Sequence, residues 1–292
     1  MISIIGIVIV LGAIAGGYLM EHGKLLVLLQ PAELVIILGA AIGTVAIANP
    51  VPVLIALGKG LAGVIGGSPF TKARYLQDLK MVYEFLNQGR KMGTAKIEED
   101  VDNPSKSQVF SKYPAFLKNH HALAFFCDTL RMAVSGGVDP LDIDQMMDVD
   151  LEVHHRESAE PVAALTTMAD SLPGLGIVAA VLGVVITMGA LGGPKEEIGH
   201  RVAAALVGTF LGILMCYGIF GPLAQAMGKQ NEAENHYYGF LRMAVLAFVK
   251  GLSPMMAVEL ARRAIPSGVR PTFQEMEAAC RGGGAAAATR AA

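Results

Sequence analysis

Charge is missing from four long stretches of this chain, and that absence constrains the fold more than any motif. No Asp, Glu, Lys or Arg occurs in residues 2–20, 171–194 or 202–228, and residues 25–58 hold only Glu33. A helix needs about 20 apolar residues to cross a hydrocarbon core, so each stretch is long enough for a span. With 16% charged residues and a mean hydropathy of +0.50, the chain is too apolar for an ordinary soluble domain. The expected class is all-α: a polytopic membrane protein with four transmembrane helices and a helical cytoplasmic domain. The first stretch has no Lys or Arg before Lys24, so it reads as a retained span and not as a cleaved signal peptide.

Basic residues in the connections set the orientation. Lys24 alone lies between the first two spans, and Lys195 and Arg201 lie between the last two. Residues 59–156 carry twelve Lys or Arg and the segment after residue 228 carries eight, so both of these regions are expected in the cytoplasm, with both termini. The expected organisation is spans one and two in 1–58, a cytoplasmic helical domain in 59–169, spans three and four in 170–228, a cytoplasmic extension in 229–281 and a disordered Gly/Ala tail in 282–292.

Between the spans the sequence carries helix punctuation. Asn49, Pro50 and Pro52 interrupt span two, and the apolar stretch after them reads as an interfacial helix. Ser68–Pro69 has the form of a cap with proline at the first helical position, and Gly93 closes the helix it opens, leaving the charges at 96–100 in a following loop. A second cytoplasmic helix is expected over 119–135. Asp139–Pro140 opens a third that runs on into span three, with bends at Pro161 and Pro173. Span four is expected to continue to Lys250. Ser253–Pro254 opens a short helix, and Thr272 with Glu275 forms a capping box for the last one.

Chemistry-bearing motifs are few. No nucleotide-binding loop, nucleophile elbow or zinc-protease signature is present, so neither an enzyme nor a cofactor is expected. His154 and His155 point in different directions on a helix and make no metal site. The three cysteines, Cys127, Cys216 and Cys280, have no disulfide or zinc spacing. An ionisable group inside a bilayer costs about 2.5–3.5 kcal/mol on insertion scales and marks ion pathways. Glu33 is the one candidate, and it reads as an interfacial carboxylate favoured by the start of a helix. On that reading the chain either moves no ions or borrows its acid from another subunit. Thr187 and Thr209 offer hydroxyls within spans three and four, and Gly174, Gly176, Gly183, Gly208 and Gly212 offer close helix approach.

Three segments carry a resemblance: "GGYLMEHGKLLVLLQPAELVIILGAAIG" (16–43), "ADSLPGLGIVAAVLGVV" (169–185) and "LVGTFLGILMCYGIFGPLA" (206–224). They resemble the MotA family of flagellar stator subunits, within the wider MotA/TolQ/ExbB proton channel family. The resemblance implies a ring, pentameric in the family, around two copies of MotB, whose aspartate takes up the proton. It implies torque on the rotor protein FliG through Arg90 and Glu98. It also implies functional prolines at Pro173 and Pro222 and an ion path past Ala180 and Thr209, to which Thr187, the hydroxyl of span three, is added. Sodium-driven relatives carry threonine at the position of Ala180, so alanine favours protons. Lys96 and Glu99 depart from the family's charge pattern around Glu98. The implied location is the bacterial inner membrane. An ExbB- or TolQ-like energiser of an envelope-spanning partner, with three spans, is the alternative, and a membrane scaffold without ion flow is a third reading.

Overall fold

The computed structural model describes residues 2–189, 192 and 194–282. Every regular element among them is helical. Four of the helical stretches are long and apolar enough to cross a membrane, as the four uncharged stretches require. Beyond Gly282 the expected disordered tail lies outside the described residues. The chain divides into two compact units, Met1–Ser68 with Arg156–Asn231 and Pro69–His155 with Glu232–Ala292.

In the first unit, α1 (Ile2–Met20) buries no residue within the protomer. A helix that is apolar all round and uncovered belongs in lipid or against other subunits. A four-residue turn, α2 (Leu25–Leu28), precedes α3 (Pro31–Ala48), which starts with proline at its first position, where a missing N–H costs nothing. Asn49 is extended, as a residue before proline must be, and α4 (Val51–Gly66) follows. It turns Val53, Leu57 and Val64 inwards, and the Gln230 side chain donates to the Gly63 and Gly67 carbonyls. On α3 the buried residues are Glu33, Ile37, Ala41 and Val45, a stripe at four-residue spacing.

The remaining spans come from α9 (Pro140–Met188), α10 (Lys195–Leu214) and α11 (Gly221–Val249). Helix α9 continues through Pro161 and Pro173, so the expected long helix is there. Each internal proline leaves the carbonyl four residues back without its donor. Between α10 and α11 lies a π-helical turn, Met215–Phe220, which the sequence reading missed. The Gly221 N–H reaches the Cys216 carbonyl, a five-residue step. Pro222 follows at once. Its ring would crowd the carbonyl four residues back in a regular helix, and the widened turn makes room for it.

The second unit packs α5 (Lys72–Met92), α6 (Thr94–Asp102), α7 (Pro114–Leu117), α8 (His120–Ser135), α12 (Pro254–Ala264) and α13 (Phe273–Cys280) with parts of α9 and α11. Its core is aromatic: Phe85 stacks on Phe110 at 5.0 Å, and Phe126 meets both edge-on. Helix α5 begins later than expected. Thr71, not Ser68, caps it by accepting from the Arg74 N–H. Phe70, just before the cap, and Tyr75 both lie against Tyr237, at 4.9 and 5.8 Å, which holds the preceding segment out of the helix. Ser253 caps α12, and Thr272 with Glu275 forms the expected capping box.

The Tyr237 hydroxyl ties α11 to an ion pair within α5. Arg74 donates to Asp78 at 2.6 Å and the Tyr237 hydroxyl donates to Asp78 at 2.9 Å. Burial pushes the Asp78 carboxyl above its ordinary value, against the pull of Arg74 and Tyr237. Removing one member strands the other charge. Asp78→Ala should therefore destabilise the second unit by about 3 kcal/mol, read as a lowered Tm of the detergent-solubilised protein.

Candidate functional site

In the first unit, α9 and α10 meet backbone to backbone. A Cβ placed on Gly176 would stand 2.8 Å from the Gly208 carbonyl oxygen, and one on Gly212 would stand 2.5 Å from the Leu172 carbonyl oxygen. One on Gly183 would stand 2.8 Å from the Ala205 Cβ. No side chain fits at these crossings, which is how small residues bring membrane helices together. Gly174 has open space instead and takes no part in the seam.

Glu33 reaches into this seam. It stands in the first turn of α3, as expected of a helix-start carboxylate, and its side chain is turned into the protein with only 6% exposed. Its Oε2 lies 2.7 Å from the place a Gly208 Cβ would take, and its Oε1 lies 3.6 Å from that of Gly183. Oε2 is buried without a hydrogen-bond partner. Ala180 borders the same notch, since its backbone nitrogen is 3.2 Å from the Gly208 Cβ position. Thr209 follows Gly208 and is half-buried, as Ala180 is. Thr187 is buried one turn beyond Gly183, and its hydroxyl donates to the Gly183 carbonyl at 2.8 Å, so its proton is held within α9. Ala180 and the Glu33 carboxyl thus share one notch of the α9–α10 contact, Thr209 follows that notch in the chain, and Thr187 lies one turn beyond Gly183. Pro173 and Pro222 are not part of it. Pro173 is half-buried inside α9, while Pro222 is exposed beside a groove lined by Thr166, Asp170 and Tyr217.

The second unit holds the other expected residues. Arg90 lies in the last turn of α5 and Glu98 on α6, not in a loop as the sequence reading had it. The two helices are set by Gly93, at φ +88°, and by Gly89, whose missing side chain is filled by Ile97. Arg90 and Glu98 are therefore each next to a packing residue, and both are exposed. Neither forms an ion pair with a described residue, whereas their neighbours do. Lys96 binds Glu99 at 2.8 Å and Asp100 at 3.2 Å, and Arg131 binds Asp102 and Asp128, each at 2.7 Å.

With this geometry in view, the likenesses to known proteins are decisive. Residues 4–93 match the model of the motility protein A N-terminal region, and residues 118–239 match that of the MotA/TolQ/ExbB proton channel family. The chain is 39% identical to motility protein A of Escherichia coli (strain K12) over 277 residues, which is 95% of this chain and 94% of that one. It belongs to the motility protein A family. In fold it is similar to C. jejuni MotAB, with a TM-score of 0.74 at 18% identity over 91% of this chain and 95% of that one. It is also similar to the flagellar MotAB stator complex from Bacillus subtilis, with a TM-score of 0.71 at 23% identity over 91% and 96%. Those two likenesses concern the fold. Family membership and four long apolar helices make this a membrane-embedded protein.

Proposed function

We propose that the chain is the multi-pass wall of a bacterial flagellar stator, which forms a proton channel with MotB and turns proton flow into torque. The observation that carries this is the 39% identity to a motility protein A across nearly all of both chains. The family branch favours the motor over an ExbB- or TolQ-like energiser. The protein works as a channel and motor part, not as an enzyme. It sits in the inner membrane with both termini in the cytoplasm, which the basic residues of 59–156 and 229–281 support. It forms a ring, pentameric as in the family, around two MotB helices that bring the proton-accepting aspartate.

Residues Ala180, Thr209 and Thr187 border the ion path, and Pro173 and Pro222 act as its hinges. The half-buried Ala180 and Thr209 at the glycine seam support this, as does the π turn that relieves Pro222. Arg90 and Glu98 meet FliG, which is supported by their being charges without an internal partner in a region where Lys96 and Arg131 are paired. A deletion strain should lose swimming and regain it with this gene, and membranes containing the chain with MotB should pass protons. Restored flux without restored swimming would favour the energiser reading. A methyl group cannot ligate sodium, a hard cation that takes oxygen ligands, so motility should persist in sodium-free medium. Arrest there would overturn the role given to Ala180.

A further inference from the structure

The second unit holds a cavity of about 390 Å³ that takes in none of the ion-path or rotor-contact residues. Small-molecule sites span about 300–1,000 Å³, so its size suits a small ligand. Two helix faces enclose it. His121, Phe125, Asp128 and Met132 lie on one face of α8, and Met147, Asp150, Leu151 and His154 lie on one face of α9. Tyr238 completes the lining from α11 and is only 3% exposed. The wall carries unmet hydrogen-bonding capacity. The Tyr238 hydroxyl and the His154 Nε2 are both buried without a hydrogen-bond partner, and their rings touch, with centroids 4.7 Å apart. Glu234 Oε1 stands 3.9 Å from that nitrogen, too far for a hydrogen bond. Buried polar atoms are nearly always paired, so two orphans on touching rings of one cavity wall call for a ligand. Asp150 stands exposed one turn before His154. Across the cavity Asp128 is taken by Arg131 at 2.7 Å, whereas Asp150 has no ion pair with a described residue.

We propose that this cavity binds a small organic cation, a primary ammonium group carried on an apolar body. An ammonium has three N–H donors and no acceptor. The Asp150 carboxylate, the Tyr238 oxygen and the His154 nitrogen offer it three acceptors, and Asp150 supplies the opposite charge. Burial, and after it the charges of Glu234 and Asp150, push the Tyr238 hydroxyl above its ordinary value, so it stays a neutral phenol whose oxygen can accept. The ring faces of Phe125 and Tyr238, set edge to face at 5.5 Å, also favour a cation. The body of the ligand meets Met132, Met147 and Leu151. Methionine side chains adapt to irregular shapes and make favourable contacts with aromatic rings, so an aromatic body suits this lining. An anion of the same shape would instead meet the charge of Asp150. Occupancy gives both orphan atoms a partner and ties α8, α9 and α11 together through one ligand.

The test is calorimetric titration of the full-length protein, purified in detergent with MotB, with phenethylammonium as the probe. Phenethyl alcohol has a similar body without the charge, phenylpropionate carries the opposite charge, and ammonium chloride has no body. Phenethylammonium should bind at least about tenfold more tightly than any of the three, the contribution of one hydrogen bond to a charged group. Asp150→Asn changes an exposed side chain without an internal ion pair, so it should fold normally and weaken binding by at least about tenfold. Tyr238→Phe keeps the ring against Phe125 and His154 and removes only the orphan hydroxyl. It should leave the Tm at or above that of the wild type and still weaken binding several-fold, a loss that a tyrosine serving only to pack would not show. Equal binding of the alcohol or the carboxylate, unchanged affinity in either variant, or no binding by the wild-type complex would each overturn the proposal and leave the stator function standing.

Discussion

Reversing both charges, with Arg90→Glu and Glu98→Lys together, should abolish swimming while proton flux through the stator falls by less than about twofold. The two side chains are fixed in place but not in partnership. Gly89 and Ile97 lock α5 to α6, so neither substitution disturbs the packing that presents them. Both side chains are exposed and have no ion pair with a described residue, so no internal bond is lost. Any effect must then arise at a surface outside the chain. Close charge pairs across an interface have coupling energies of about 1.5–7 kcal/mol, and reversal changes attraction into repulsion. Lys96→Glu is the control of opposite kind. It breaks bonds to Glu99 and to the buried Asp100, so its loss should appear first as reduced stability. Flux measured in vesicles without a rotor separates the two steps. If flux collapses along with swimming in the Arg90/Glu98 double variant, these charges do not face the rotor.

Legibility in the sequence followed the physics of each element. Spans could be read because the absence of charge over about 20 residues has one common cause. Helix ends could be read where a side chain supplies the missing hydrogen bond, as at Thr272 with Glu275 and at Ser253. Thr71 against Ser68 could not, because both are capable caps and the choice fell to the contacts of Phe70 and Tyr75 with Tyr237. The direction of Glu33 was hidden for a different reason. Helix α3 is apolar on every side apart from this residue and Thr44, so no periodic pattern reveals which face is buried. Only the register with Ile37, Ala41 and Val45, fixed by packing on α9 and α10, turns it inward. The π turn left no local signal beyond Pro222, and a proline is compatible with several remedies.

Gly212→Ala and Gly208→Ala should differ sharply, because a new methyl meets backbone at the first and a flexible side chain at the second. At Gly212 the new methyl would meet the Leu172 carbonyl oxygen at 2.5 Å and the Gly176 Cα at 2.9 Å. Both are backbone atoms of a packed helix and neither can rotate away. The helices must part, at a cost of about 1–3 kcal/mol for overpacking in each copy of the chain. Assembly with MotB should fail, and swimming with it. At Gly208 the nearest atom is the Glu33 Oε2 at 2.7 Å, the far end of a flexible side chain, while the Ala180 nitrogen and Ala179 Cβ, at 3.2 and 3.3 Å, are tight but need give by only a few tenths of an ångström. The carboxyl can leave and the helices can stay. Gly208→Ala should therefore still assemble with MotB, in amounts well above those of Gly212→Ala, and swimming should persist. If Gly208→Ala fails to assemble as Gly212→Ala does, the Glu33 side chain cannot swing aside and the two glycines serve the seam alike.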